Sequence, residues 1–503
     1  MFKKIKIIKI KQLVMAFILL SIGNGCNEKN INLDPLAVTE AAFFKEEIDF
    51  DRSVLAVYAK LTDFYYFNAN NPIHGFWQLP GDDITTLGSD AFEIFGTIQP
   101  ATEFVGTYYK VAYQLINRAN TTLQKIEEEK DVYKTANLKN HHKGEALFLR
   151  GLMYFNLSNY FATSPLIIKR IQGTADITQP NSADGALLEQ AIKDFTEAAT
   201  LLPATWDASN KGRATANAAN GFLGKALIFR ASIKKQDADY NLALGALNKV
   251  TEAVLVKDFE SNFDVKDENN AESIFEFQAS QPGGGDNVWL SNDFDNGIGS
   301  TSAYWGYYEN HWSLFGKPAY IATKKLLNAF DKEDPRLNIT MDVSNRAIKK
   351  YVNRDQKSQS GAGSVNNARI LRYSDILLLK AEATLLSGGS TSESLNLINQ
   401  VRTRARAMKV GGTIPANYLT SETDKNKIFN WIVNERFIEL AGEEGIRWLD
   451  LRRWHLAGKI NLSSFDFSSD RSDLKIEIPK NLNYPIPLNE VDLNPNVKQN
   501  IGY

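Results

Sequence analysis

The stretch "HKGEALFLRGLMYFNLSNYF", His142 to Phe161, repeats alanine, leucine and aromatic residues every three or four positions. That period predicts an amphipathic helix with an apolar face so wide that it needs a neighbouring helix to cover it. The same texture recurs in "RATANAANGFLGKALIFRAS" (213–232) and "RYSDILLLKAEATLL" (372–386). Helical spacing also marks Ile48 to Leu61, Tyr108 to Glu128, Lys143 to Tyr160, Ala186 to Leu202, Ala214 to Ser232 and Tyr240 to Val250. Small residues such as Ala219, Gly224, Ala381 and Ala383 sit among the larger apolar ones, so pairs of helices can approach closely in the manner of tetratricopeptide hairpins. The fold expected is mainly α: a tetratricopeptide-like superhelical scaffold interrupted by long irregular loops.

Working outward, residues 1–25 carry Lys3, Lys4, Lys6, Lys9 and Lys11, then the apolar run "LVMAFILL", then small and polar residues. A basic segment followed by a short apolar one describes an export signal, and eight apolar residues are too few for a membrane-spanning helix. Cys26, the sole cysteine, falls where signal removal would leave it first. A lone thiol in an exported chain forms no internal disulfide, and a lipid anchor accounts for it. Residues 26–40 then form a polar tether. Removing residues 1–25 leaves 52 basic against 59 acidic residues, a charge of −7. An acidic chain without a basic run lacks the electrostatic footprint of a nucleic-acid-binding protein.

Two long stretches break the helical pattern. Residues 62–100 and 280–315 mix aromatic residues with Asn, Asp, Gly and Pro, which is turn chemistry without a period. A third variable stretch spans 340–370. Sugar rings offer flat C–H faces to aromatic rings and hydroxyls to carboxylates and amides, so such loops suit a glycan. The ligand contacts expected are Trp77, Asp82 and Asp83 in the first loop, and Trp289, Asn292, Tyr304, Trp305, Tyr307, Tyr308 and Trp312 in the second. "YWGYYENHW", Tyr304 to Trp312, alone supplies five large rings, and rings at consecutive positions point in several directions.

The stretch "NERFIELAGEEGIRWLDLRRW", Asn434 to Trp454, gathers five acids and four arginines. Glycoside cleavage needs two free carboxylates flanking a bond. Here Glu443 and Glu444 precede Arg447 by a helical turn, Arg447 precedes Asp450, and Asp450 precedes Arg453, spacing that predicts ion pairs and lowered carboxyl pKa values. The cluster is expected to be a buried Arg/carboxylate brace between two helices separated by Gly442 and Gly445, and the chain is expected not to be an enzyme. The five histidines lack zinc-ligand spacing. "DFDNG" (293–297) lacks the full calcium-loop ligand series. Neither metal nor cofactor is expected.

The pattern Gly, Arg, aromatic, Asp-Leu-Arg-Arg-Trp resembles the C-terminal signature of the SusD/RagB family of outer-membrane nutrient-binding lipoproteins. The resemblance extends in order through "LDPLAVTEAAFFKEEIDFDRSVLAVYAKL", "GEALFLRGLMYFNLSNYFATSPLI", "GRATANAANGFLGKALIF", "DPRLNIT", "ILRYSDILLLKAEA", "SLNLINQVRTRA" and "YPIPLNEVDLNPNVKQNIGY". It implies an N-terminal helical region over 41–260 and a C-terminal region over 261–503. It also implies a lipid-anchored position on the outer membrane facing the cell surface, a SusC-type TonB-dependent transporter as partner, and capture of oligosaccharide on a loop platform. Peptide capture by the same scaffold is the alternative, and an exported glycosidase the remote one.

Overall fold

A computed structural model describes residues 43–65, 75–86, 88, 90–279, 320–351, 366–467 and 470–503. Among them, ten helices run for ten residues or more: α1 (Glu47–Ala59), α2 (Glu103–Glu128), α3 (Leu138–Phe161), α4 (Ala186–Leu201), α5 (Ala216–Lys234), α6 (Ala238–Leu247), α7 (Tyr373–Leu386), α8 (Thr391–Ala407), α9 (Lys425–Glu439) and α10 (Ile446–Leu456). Several starts are fixed by side chains that satisfy otherwise orphaned backbone N–H groups. Thr215 accepts from the amide of Ala218, Ser390 from that of Glu393, and Asp424 from those of Asn426 and Lys427.

From α2 to α8 each helix packs on the next in sequence, α9 covers α7 and α8, and α10 returns to α5. This is the superhelical stacking that the periodicity predicts. Residues 50–503 form one compact unit; in the preceding unit, Asp49 accepts the backbone N–H groups of Lys45 and Glu46.

The helix α3 departs from the expected amphipathic form, because nearly every residue from Gly144 to Phe161 is buried. Two glycines make this packing possible. A Cβ on Gly144 would lie 2.9 Å from Leu202 Cγ, and one on Gly151 would lie 3.0 Å from the ring of Phe195, so these positions set how closely α4 and the residue after it approach. Gly224 does the same for α5 and α6, where an added Cβ would overlap the Leu247 side chain. The C-terminal tail covers the end of α3: Tyr484 donates its N–H to the carbonyl of Tyr160 (2.6 Å), and the Asn500 amide donates to that of Phe161 (3.1 Å).

The periodicity did not reveal the strands. β1 (Ile84–Thr86) pairs antiparallel with β3 (Tyr320–Ala322), aligning Ile84 with Ala322. β2 (Ser273–Phe277) pairs antiparallel with β4 (Ala368–Arg372) through an irregular register. At three to five residues each, they are too short for alternation to stand out; β1 lies inside a stretch expected to be loop, and β4 straddles the end of another. Among the described residues, no helix is long and apolar enough to cross a membrane.

Candidate functional site

The Asn434–Trp454 stretch spans the end of α9, a break, and most of α10, and its charges are buried as expected except for Glu444, which is partly exposed. Their partners are mostly distant in sequence. Five cations, Arg336, Lys350, Arg372, Arg402 and Arg404, meet five carboxylates, Glu272, Asp334, Glu435, Glu439 and Glu443, in one connected array. Arg372 bonds Glu272, Glu439 and Glu443, each at 2.7 Å, and Arg336 bonds Glu435 at 2.7 Å and Glu439 at 2.8 Å. A second array joins Arg436 to Asp375 and Asp450, both at 2.6 Å, Lys225 to Asp375, and Arg453 to Asp450 and Glu382. Each array carries equal numbers of opposite charges, which compensates the large cost of burying them.

Of the local pairs expected from helical spacing, Asp450 with Arg453 is found. Arg447 reaches Asp82 instead of Asp450, and Glu443 bonds Lys350 and Arg372. Around the break at Gly442 and Gly445 the backbone adopts positive φ, so Glu443 and Arg447 on its two sides are not successive turns of one helix, while Arg447, on the same helix as Asp450, is taken by the Asp82 carboxylate. Burial raises the carboxyl pKa values, but the arginines outweigh it at Asp450 and Glu439, which are held below the usual carboxylate range. Glu444 runs the other way. Burial, together with the neighbouring Glu443 charge, raises its pKa to about 8 against the lowering effect of its bond with the Tyr65 hydroxyl (2.7 Å). Its other oxygen has no partner among the described residues, and Glu444 lines a cavity of about 60 Å³ together with Trp77, Tyr108, Asn156 and Lys225. That is room for a water molecule or two and not for a sugar.

Trp77, Asp82 and Asp83, expected on an exposed platform, lie in the interior at 5%, 0% and 3% exposure. Residues 75–83 fill the break between α9 and α10. The Gly442 N–H donates to Asp83 (3.1 Å), Gln78 donates to the Gly442 carbonyl (3.3 Å), and Asp82 takes both Arg447 and Lys325 (2.7 Å). Burial, with the Asp82 charge beside it, raises Asp83 to about 6. Trp77 meets Tyr65 and Tyr108 edge-on at centroid distances of 6.1 and 6.0 Å. Aromatic residues mixed with Gly, Pro and Asp thus describe a plug here, a use of that composition which sequence alone does not separate from a ligand loop.

Trp289, Asn292, Tyr304, Trp305, Tyr307, Tyr308, Trp312 and Cys26 lie outside the described residues. Of the buried array, sequence reasoning missed Glu272, Asp334, Arg336, Lys350, Arg372, Arg402 and Arg404. Five of them lie in stretches that stand out in the sequence, Asp334 and Arg336 in "DPRLNIT", Arg372 in "ILRYSDILLLKAEA", and Arg402 and Arg404 in "SLNLINQVRTRA", which is the one signal that pointed to them.

Two family models match the chain. One, described as the SusD family, covers residues 251–503, and one described as starch-binding associating with outer membrane covers residues 85–228. The chain is 24% identical to SusD-like protein P38 of Formosa agariphila, over 98% of this chain and 100% of that protein. It superposes on a SusD superfamily protein from Bacteroides vulgatus with a TM-score of 0.70 and 26% identity, covering 92% of this chain and 100% of the other. It also superposes on a protein titled as a laminarin binding SusD-like protein, with a TM-score of 0.72 and 23% identity over 91% and 100% of the two chains.

Proposed function

This chain belongs to the SusD family, and from that premise we propose that it is a cell-surface lipoprotein that captures oligosaccharide or polysaccharide fragments and delivers them to a SusC-type TonB-dependent transporter. The observation that carries the proposal is the correspondence over more than nine-tenths of the chain with a laminarin binding SusD-like protein, joined to a family model described as starch-binding associating with outer membrane. The ion-paired burial of Glu435, Glu439, Glu443 and Asp450 supports capture without bond cleavage, since a glycosidase needs an acid and a base facing its substrate.

In this proposal the second aromatic loop supplies the ligand surface, with Trp289, Asn292, Tyr304, Trp305, Tyr307, Tyr308 and Trp312 as its contacts, and Cys26 carries the lipid. Aromatic rings stacked on sugars commonly dominate such surfaces, and truncating one anchor costs about 1–2 kcal/mol or more. Titration calorimetry with laminarin, maltoheptaose and a tryptic peptide mixture tests the ligand class. Binding of peptides and of no glycan would reassign the scaffold to peptide uptake. Palmitate labelling of wild type and Cys26→Ala tests the anchor, which fails if the variant still incorporates label.

A further inference from the structure

A second cleft takes none of its described lining residues from the first aromatic loop. It has a volume of about 460 Å³ and opens to solvent between α8, Tyr373 at the start of α7, and the segment Ala253–Leu255. This size falls within the range of small-ligand sites. From α8 it takes Asn396, Gln400 and Thr403, exposed residues four and three positions apart that therefore share one helix face. Val254, 54% exposed, forms an apolar floor. Every described residue lining the cleft is uncharged.

Three features show that this is a built site. The floor is pinned: Asn217 exchanges two hydrogen bonds with the backbone of Thr251 (2.6 and 3.1 Å), Val254 N–H donates to the Ala271 carbonyl (3.0 Å), and Val256 N–H donates to the Glu272 carboxylate (3.0 Å). Glu272 also ties the floor to the wall, because its carbonyl accepts the Tyr373 N–H at 2.8 Å. On that fixed frame, the exposed side-chain amides of Asn396 and Gln400 and the hydroxyl of Tyr373 have no hydrogen-bond partner among the described residues and are open to a ligand.

We infer that this cleft is an auxiliary binding site for a neutral glycan, holding a sugar ring against the Tyr373 face and the Val254 floor while the Asn396 and Gln400 amides bond its hydroxyls. Amides both donate and accept, as sugar hydroxyls do, and an uncharged lining offers nothing to an anionic or cationic ligand. An extended peptide would need a row of free main-chain groups to pair with. The Val254 N–H of the floor is already taken, and α8 bonds its own backbone. A second site on the same chain would let a long polysaccharide engage twice and raise its avidity. The inference rests on the glycan-capture proposal, but the residues it uses are separate from those of the loop.

The test is calorimetric titration of the full mature chain with laminarin, maltoheptaose, a xylan and a mannan, using wild type, Gln400→Arg and Trp305→Ala. Gln400 is exposed, so Gln400→Arg is expected to keep the wild-type melting temperature while placing a large charged group in the cleft. Two binding events per wild-type chain are expected, one of them weakened about tenfold or more in Gln400→Arg and retained in Trp305→Ala. Superimposable isotherms for wild type and Gln400→Arg would overturn the cleft and leave capture by the loop standing. Loss of binding in Gln400→Arg with none in Trp305→Ala would keep the cleft and remove the loop. Binding of a peptide mixture at the cleft in place of glycans, or the absence of any binding to wild type, would overturn the inference.

Discussion

Gly445 sits directly against Trp77: a Cβ built on it would lie 2.8 Å from both the Cβ and the carbonyl oxygen of Trp77, and its φ of +62° is one that L side chains rarely adopt. The glycine between α9 and α10 and the tryptophan of the segment that fills the break are therefore two halves of one contact. Gly445→Ala should lower stability by about 2 kcal/mol or more, since the left-handed conformation alone costs about 1–2 kcal/mol in a non-glycine residue and the clash adds to it. Urea unfolding of the full chain measures this, and an unchanged midpoint would mean that the segment does not depend on the glycine.

Trp77 and Trp305 should separate cleanly. Trp77 is buried in the aromatic cluster, and Trp77→Ala should cost about 3–5 kcal/mol of stability, leaving glycan affinity per folded molecule intact. Trp305→Ala should do the reverse. Paired melting curves and titrations check both, and loss of affinity without loss of stability in Trp77→Ala would return Trp77 to the ligand surface.

Asp450 bridges Arg436 and Arg453. Asp450→Ala leaves two buried guanidiniums facing each other and should cost about 3–5 kcal/mol, with no specific effect on ligand affinity. Because its pKa is held below that of an unfolded aspartate, the stability it contributes is present above the unfolded value and is lost as pH falls through the folded one. Denaturant melts of wild type and variant should therefore keep their full separation from pH 7 down through mild acid and converge only as the pH falls below the unfolded value of 3.8.

Glu444 predicts the opposite slope. Its pKa rises from 4.5 to about 8, so the folded state holds a proton that the unfolded chain releases, and its contribution is full below about pH 4.5 and is lost on the way to pH 8. A tenfold difference in proton affinity between the folded and unfolded chains is worth about 1.4 kcal/mol. Glu444→Gln should match wild type at pH 4.5 and exceed it in stability at pH 8.5. Asp83 and Glu268, raised to about 6 and about 7, keep part of the alkaline loss in the variant. Identical stability differences at both pH values would show that Glu444 is already ionised in the fold.

How far the sequence led depends on the range of the interaction. Helices were legible because their signal is local: Ala186–Leu202 was expected and Ala186–Leu201 is found, and Tyr108–Glu128 lies inside Glu103–Glu128. Burial of the Glu/Arg stretch was legible from its density of charge beside tryptophans. Its partners were not, because Arg372 and Glu439 are 67 positions apart and nothing in either neighbourhood names the other. Trp77, Asp82 and Asp83 failed for a related reason. An aperiodic segment rich in rings, Gly and Asp has the same composition whether it faces solvent or fills a break between helices, and only the break at Gly442–Gly445 determines which.

Glycan capture is tested most directly by titrating the full mature chain with laminarin and maltoheptaose, wild type beside a Trp305→Ala Trp312→Ala double variant. The account predicts that wild type binds at least one of these glycans, and that the double variant loses about tenfold or more in affinity at an unchanged melting temperature. A wild-type chain that is folded, binds neither glycan and binds peptides instead would contradict it.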